Sequence, residues 1–152
     1  MRLYSFVNGL YLNQLQYGLQ TAHCVSNLSL QNNDFYKEWA TNHKTIIILD
    51  AINSKGVRQA FHNLCNFSSG HLMEVIPVTC FYEDADSLDG AITAAACVLP
   101  ERIYNVSVTR QEAQEIMANL EANKWKINPY ISDEGREYLL SCMIKTYNLA
   151  PR

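Results

Sequence analysis

The sequence predicts an α/β fold: a four-stranded mixed sheet with packing helices, followed by a C-terminal helical extension. Three observations carry this prediction. The run Lys44-Thr-Ile-Ile-Ile-Leu-Asp50 is dense in β-branched residues, and three further strand-like runs accompany it. Between them lie stretches with apolar residues three and four apart, the helical period. Hydrophobic residues make up 48% of the 152, enough for one buried core.

Taken in order, Arg2 to Val7 reads as a first strand, closed by the turn dipeptide Asn8-Gly9. A helix follows from about Leu12, with Leu12, Leu15, Leu19, Ala22 and Ser26 as its apolar stripe. Ser29 to Asn33 is a polar break, after which Asp34 caps a short helix through Phe35, Trp39 and Ala40. The Lys44–Asp50 run is apolar at successive positions, the pattern of a central strand covered on both sides. Ser54 starts a second amphipathic helix, with Val57, Ala60, Phe61 and Leu64 inward, and Ser68-Ser-Gly70 is a loop. Val75 to Tyr82 is a third strand and Glu83 to Gly90 a loop. Ala91 to Leu99 is a fourth strand, stopped by Pro100. The order β-α-α-β-α-β-β implies a mixed sheet packed by helices.

After Pro100 the character becomes helical. Thr109-Arg-Gln-Glu112 spells a capping box for a helix to about Trp125, and Asn128-Pro129 breaks it. Ser132 starts a last helix whose stripe is Tyr138, Leu139, Cys142, Met143 and Tyr147. Residues 1–104 thus form the α/β core, and 105–152 a helical extension of the same globule. Its plainest role is to cover exposed sheet or to build an oligomer interface.

Charged residues are only 18% of the chain, below the roughly 25% usual for soluble domains, so self-association would help to hide apolar surface. A net charge of -3 argues against a duplex nucleic-acid partner, which demands basic surface. The start lacks the apolar segment of a signal peptide, and no run reaches the roughly 18 apolar residues of a membrane span. A cytoplasmic protein without a membrane partner is the expectation. Cys24, Cys65, Cys80, Cys97 and Cys142 are odd in number and show no Cys-x-x-Cys pair, which predicts buried, reduced thiols and neither disulfides nor zinc.

Chemistry concentrates in two stretches. On the first helix Gln16, Gln20, His23 and Asn27 are spaced 4, 3 and 4 apart and share one face, where amides and an imidazole can hydrogen-bond a ligand or simply meet solvent. The loop Phe81-Tyr-Glu-Asp-Ala-Asp-Ser-Leu-Asp-Gly90 is acidic, but Glu83, Asp84, Asp86 and Asp89 do not complete a calcium loop, so no metal is expected. Asp89-Gly90 reads as turn chemistry, and Phe81 or Tyr82 can stack on a flat ring. Arg58 and Arg102 are the arginines nearest the strand ends and suit an anionic group. No Gly-x-Ser-x-Gly or His-Glu-x-x-His is present.

These stretches carry a resemblance. Gln20-Thr-Ala-His23 resembles the Gln-x-Ala-His of the first helix in type 2 peptidyl-tRNA hydrolases, and Asp89-Gly-Ala-Ile-Thr93 with the strand to Pro100 resembles that family's loop and last core strand. The likeness spans roughly residues 2 to 102 and implies that fold. The family's catalytic lysine precedes the glutamine by four residues; here the position is Gln16, which cannot supply an ammonium to stabilise developing charge. The chain is also similar to small bacteriophage proteins through Leu12, Leu15, Gln16, Gly18, Leu19, Gln20 and His23, the Lys44–Leu49 run, and Phe81 to Glu83. Among these are Thoeris anti-defence proteins, homo-oligomers that sequester cyclic ADP-ribose signals, and sometimes cyclic oligonucleotides, without cleaving them. That group usually has asparagine where this chain has Asp89-Gly90, which leaves the particular ligand open.

The expectation is therefore a phage anti-defence protein of the host cytoplasm, a dimer or hexamer that captures a small nucleotide-derived ligand, with no catalytic residue and no cofactor. Its ligand set is Gln16, Gln20, His23, Arg58, Phe81, Tyr82, Asp89, Thr93 and Arg102. One competing reading is a peptidyl-tRNA or nucleotide hydrolase using His23, the acidic loop and a displaced Lys44 or Lys55. Another is a protein-binding inhibitor of a host defence factor, docked through the helical tail.

Overall fold

Five strands form one sheet in the order β3-β4-β1-β2-β5. The computed structural model describes residues 1–10, 13–68, 76–123 and 131–151. β1 (Arg2–Val7) runs parallel to β2 (Ile46–Asp50) and antiparallel to β4 (Ile92–Leu99), which is antiparallel to the edge strand β3 (Val78–Tyr82). The predicted mixed four-stranded sheet is thus present, with one strand more. β5 is only Asn148–Leu149, antiparallel to β2. Two residues carry no period, and they follow directly on the last helix.

Side chains alternate across the sheet, which gives each face its own helices. On one face Ser5 of β1 meets Thr21 of α1 (Gln14–Ser29), hydroxyl to hydroxyl at 2.8 Å. On the other, Phe6 meets Tyr147 edge-on with ring centres 4.9 Å apart. Tyr147 in turn lines a cleft with Gln59 and Asn63 of α3 (Ser54–Ser68) and with Gln114 and Met117 of a helix in the extension. β4 is buried along its whole length.

β2 is not the strand covered on both faces that its composition suggested. Ile46 is 43% exposed, and Ile47 and Ile48 are half-buried. β2 lies one position from the sheet's edge, and α1 lies across β4, β3 and β1 instead of over it.

The first helix is also turned over relative to its expected stripe. Tyr17, Gln20, Thr21, Cys24 and Leu28 face inward, while Leu15 and Leu19 are exposed, as are Ala22 and Ser26. The reason lies in the sheet beneath. Ser5, Ala94 and Ala96 share that face by register, so small and hydroxyl-bearing partners can approach closely and a row of leucines would leave Ser5 unpaired. Leu12 lies outside the described residues.

Short elements refine the remaining boundaries. α2 (Asp34–Glu38) is capped by Asn33, not Asp34: the Asn33 side chain accepts from the Phe35 and Tyr36 amides. α2 runs into one wide turn, Trp39–His43, closed by the Lys44 amide donating to the Trp39 carbonyl at 2.9 Å. α3 begins at Ser54 as expected. Its Gly56 is required, since a Cβ there would sit 1.9 Å from the Ala51 carbonyl oxygen. The acidic loop holds a single helical turn, α4 (Ala85–Leu88). Another, α5 (Glu101–Tyr104), follows Pro100.

In the extension, α6 (Arg110–Ala122) carries the Thr109–Glu112 capping box, with both reciprocal bonds formed. Trp125 and the Asn128-Pro129 break lie outside the described residues. Ser132 caps α7 (Asp133–Thr146), whose buried set, Leu139 to Ile144, is broader than the expected stripe. Tyr138 is partly exposed instead. Arg110 ties the chain's end down by donating to the Thr146 carbonyl at 3.1 Å and to Asn148 Oδ1 at 2.7 Å. Among the described residues no helix is long and apolar enough to cross a membrane.

Candidate functional site

The polar row on α1 runs alongside β3 and is largely used by it. Antiparallel pairing with β4 satisfies every other backbone group of β3, and the alternate carbonyls point off the sheet's edge. Gln31 Nε2 donates to the Val78 carbonyl at 2.8 Å, and Asn27 Nδ2 donates to the Cys80 carbonyl at 3.2 Å. The row thus extends to Gln31 and closes a sheet edge with side chains. The further step of four residues from Asn27 was the available signal in the sequence.

One turn earlier, His23 lies flat on Phe81, ring centres 4.1 Å apart and planes 6° from parallel. Both rings are half-buried. Next comes Gln20, 5% exposed, with both ends of its amide engaged. Its Oε1 accepts from Thr93 Oγ1 at 2.9 Å, and its Nε2 donates to Glu83 Oε1 at 2.6 Å. Glu83, absent from the expected ligand set, joins this chain of bonds through Gln20. Gln16, half-buried, stands on the same flank one turn before Gln20.

Thr93 reaches this face through an irregularity. Ser5 pairs with Ala96, and both face α1; three residues away in a regular strand, Thr93 would face α3. Phe81 pairs with Ala94 and Tyr82 with Ile92, so β4 spends one extra residue, Thr93, at a bulge. A bulge re-aims a side chain in this way.

Gln16, Gln20, His23, Phe81 and Thr93 therefore gather as expected, joined by Glu83. The other four candidates do not. Tyr82 follows Phe81 in the strand and so belongs to the opposite face, the one that Cys80 also takes by alternation. Arg58 is an exposed residue of α3, on that same opposite face. Arg102 follows the far end of β4, roughly 20 Å or more from Thr93 at about 3.3 Å per residue, and its Nε bonds Glu137 Oε1 at 2.7 Å. Asp89 is the exposed left-handed cap of α4 (φ 52°), followed by Gly90 at φ 65°. This is the turn chemistry foreseen for the pair. The two arginines thus do not provide a shared anion clamp.

The thiols divide by burial. Cys24, Cys97 and Cys142 are buried, but Cys80 is half-buried and Cys65 exposed, which corrects the expectation of five buried thiols. Burial pushes the Cys24 thiol up to about 12 and raises that of Cys97 as well, so neither is a nucleophile near neutrality. Among the described residues no group of three or more histidines, cysteines and carboxylates is placed to hold a metal.

Chemically, the arrangement offers a flat aromatic platform, a half-buried carboxylate acceptor and an amide locked in one orientation. That suits a planar ligand with hydrogen-bond donors better than a phosphate. A comparison with protein-family models and with curated proteins finds no match.

Proposed function

We propose that this chain captures a small nucleotide-derived signal without cleaving it, acting as an anti-defence protein in the host cytoplasm. The observation that carries this reading is the His23–Phe81 stack beside Glu83. A purine base can extend that stack, since stacking favours any flat ring, and an adenine amino group can donate to a carboxylate. Because Arg58 and Arg102 lie elsewhere, recognition rests on the base and not on the pyrophosphate. Two features support capture over turnover. Gln16 stands where the resembled hydrolases carry their lysine, and Gln20 and Thr93 hold each other in fixed roles. The signals in view are a cyclic ADP-ribose isomer or a cyclic oligonucleotide.

The test is to incubate the protein with cyclic ADP-ribose isomers and cyclic dinucleotides, remove free ligand, heat-denature, and chromatograph what is released. Intact ligand in stoichiometric amount is the expected result. A changed product would replace capture with hydrolysis. Retention of no ligand would overturn the reading in favour of a protein partner.

A further inference from the structure

On the sheet face opposite α1, the helices α3 and α6 and the end of α7 border a cleft of about 190 Å³. That falls below the roughly 300–1,000 Å³ of pockets for drug-sized ligands, so the cleft suits a molecule smaller than a nucleotide. Asn63, on its lining, is only 2% exposed. The Asn63 Oδ1 accepts from Gln59 Nε2 at 2.8 Å, one helical turn earlier, which fixes the amide and turns Nδ2 the other way. Among the described residues nothing accepts from that Nδ2. A buried donor without a partner is costly, and native folds keep few of them. Tyr147 lines the same space, and among the described residues nothing bonds its hydroxyl. Burial and then the charge of Glu121 raise this phenol to about 12, so the Glu121 carboxylate lies within electrostatic reach of it. Glu121 bears the only formal charge among the described lining residues, and it is exposed, at the cleft's mouth.

We propose that this cleft binds a small aliphatic amine that also carries an amide carbonyl. The ammonium meets Glu121 and the oxygen of Tyr147, and the carbonyl accepts from Asn63 Nδ2. Met117, 7% exposed, and the Tyr147 ring form the wall along which the methylene stem lies. Charge decides the class. An anion would face Glu121 with no lysine or arginine on the described lining to answer it. Arg110, which touches Thr146, is held by that residue's carbonyl and by Asn148 Oδ1. A wholly apolar molecule would leave the Asn63 donor stranded and dry. A simple amine would do the same, so both ends of the ligand are needed. The cleft and the His23–Phe81 stack lie on opposite faces of the sheet, and this inference does not rest on the capture of a nucleotide.

Heteronuclear NMR titration of the full chain with β-alaninamide tests it, with propylamine and propionamide as probes that each lack one end. The expected result is saturable shifts at Asn63, Glu121 and Tyr147 within tens of millimolar, with His23 and Phe81 unmoved. Both truncated probes bind more weakly than β-alaninamide. Glu121→Gln weakens β-alaninamide about fivefold, the scale of an exposed ion pair. Glu115→Gln removes the same charge from another exposed position of α6 and leaves binding unchanged. Asn63→Ala weakens binding about tenfold, the scale of one well-shielded hydrogen bond. Should that buried change unfold the chain, as circular dichroism would show, Tyr147→Phe removes only a hydroxyl and must weaken binding in the same direction. No saturable shift, equal binding of all three probes, or a Glu121→Gln titration that superimposes on wild type overturns the proposal.

Discussion

Thr93 bonds Gln20 at 2.9 Å because β4 contains one residue more than β3 at their shared end. Remove the bulge and the hydroxyl moves to the opposite face, leaving a buried glutamine carbonyl without a donor. The contact therefore depends on strand register as much as on residue type.

Thr93→Val keeps the shape and deletes the donor. An acceptor left unsatisfied in a buried site costs about 1–3 kcal/mol, so the variant should unfold at clearly lower urea concentration. Thr93→Ser should lie within about 1 kcal/mol of wild type, since it retains the donor. Equal midpoints for wild type and Thr93→Val would remove the bond from any account of stability.

Asn27 and Gln31 shield the Cys80 and Val78 carbonyls. Asn27→Ala and Gln31→Ala should each cost about 1 kcal/mol or less, the net worth of one partly exposed hydrogen bond. The double variant should scatter light sooner on warming, because an uncovered strand edge templates pairing between chains. Scattering traces that superimpose on wild type would show that the row has no protective role.

His23→Ala removes the outer ring of the platform and Phe81→Ala its support. Each should weaken nucleotide binding by about 1–3 kcal/mol, the range for base–aromatic stacking, read by calorimetry on the folded variants. Arg102→Ala, at the far end of the sheet, should leave affinity unchanged. Unaltered binding in His23→Ala would take the stack out of the site.

Burial raises the Cys24 thiol from 9.0 to about 12 and the Tyr147 phenol from 10.0 to about 12, each group being held protonated in the fold. Groups shifted upward contribute fully below their unfolded values and lose that contribution as pH climbs toward the folded ones. Melting temperature should thus fall between pH 9 and 12, each group adding at most about 1.4 kcal/mol per pH unit. A flat profile from neutrality through pH 11 would contradict the burial of both. In the native state Cys65, which is exposed, should be the first thiol to react with a water-soluble disulfide reagent.

The sequence was most legible where one local pattern had one structural solution. Arg2 to Val7 became β1 to the residue, and Thr109 with Glu112 formed the expected cap. α1 misled because it holds two stripes with helical spacing, one of leucines and one of Tyr17, Thr21, Cys24 and Leu28. Hydrophobicity favours the first, but the sheet's small and hydroxyl-bearing surface selects the second. The site was half legible for a similar reason. Gln20 and His23 share a face by helical arithmetic, whereas the bulge that brings in Thr93 and the face reversal that removes Tyr82 depend on pairing with a neighbouring strand.

The last two-residue strand sets an order of closure. Arg2–Val7 and Asn148–Leu149 lie far apart in sequence, yet both belong to one sheet. Phe6 likewise waits for Tyr147. Contacts between such distant segments carry the largest loop-closure cost, so they are expected to close late, after the local hairpins and helices have formed.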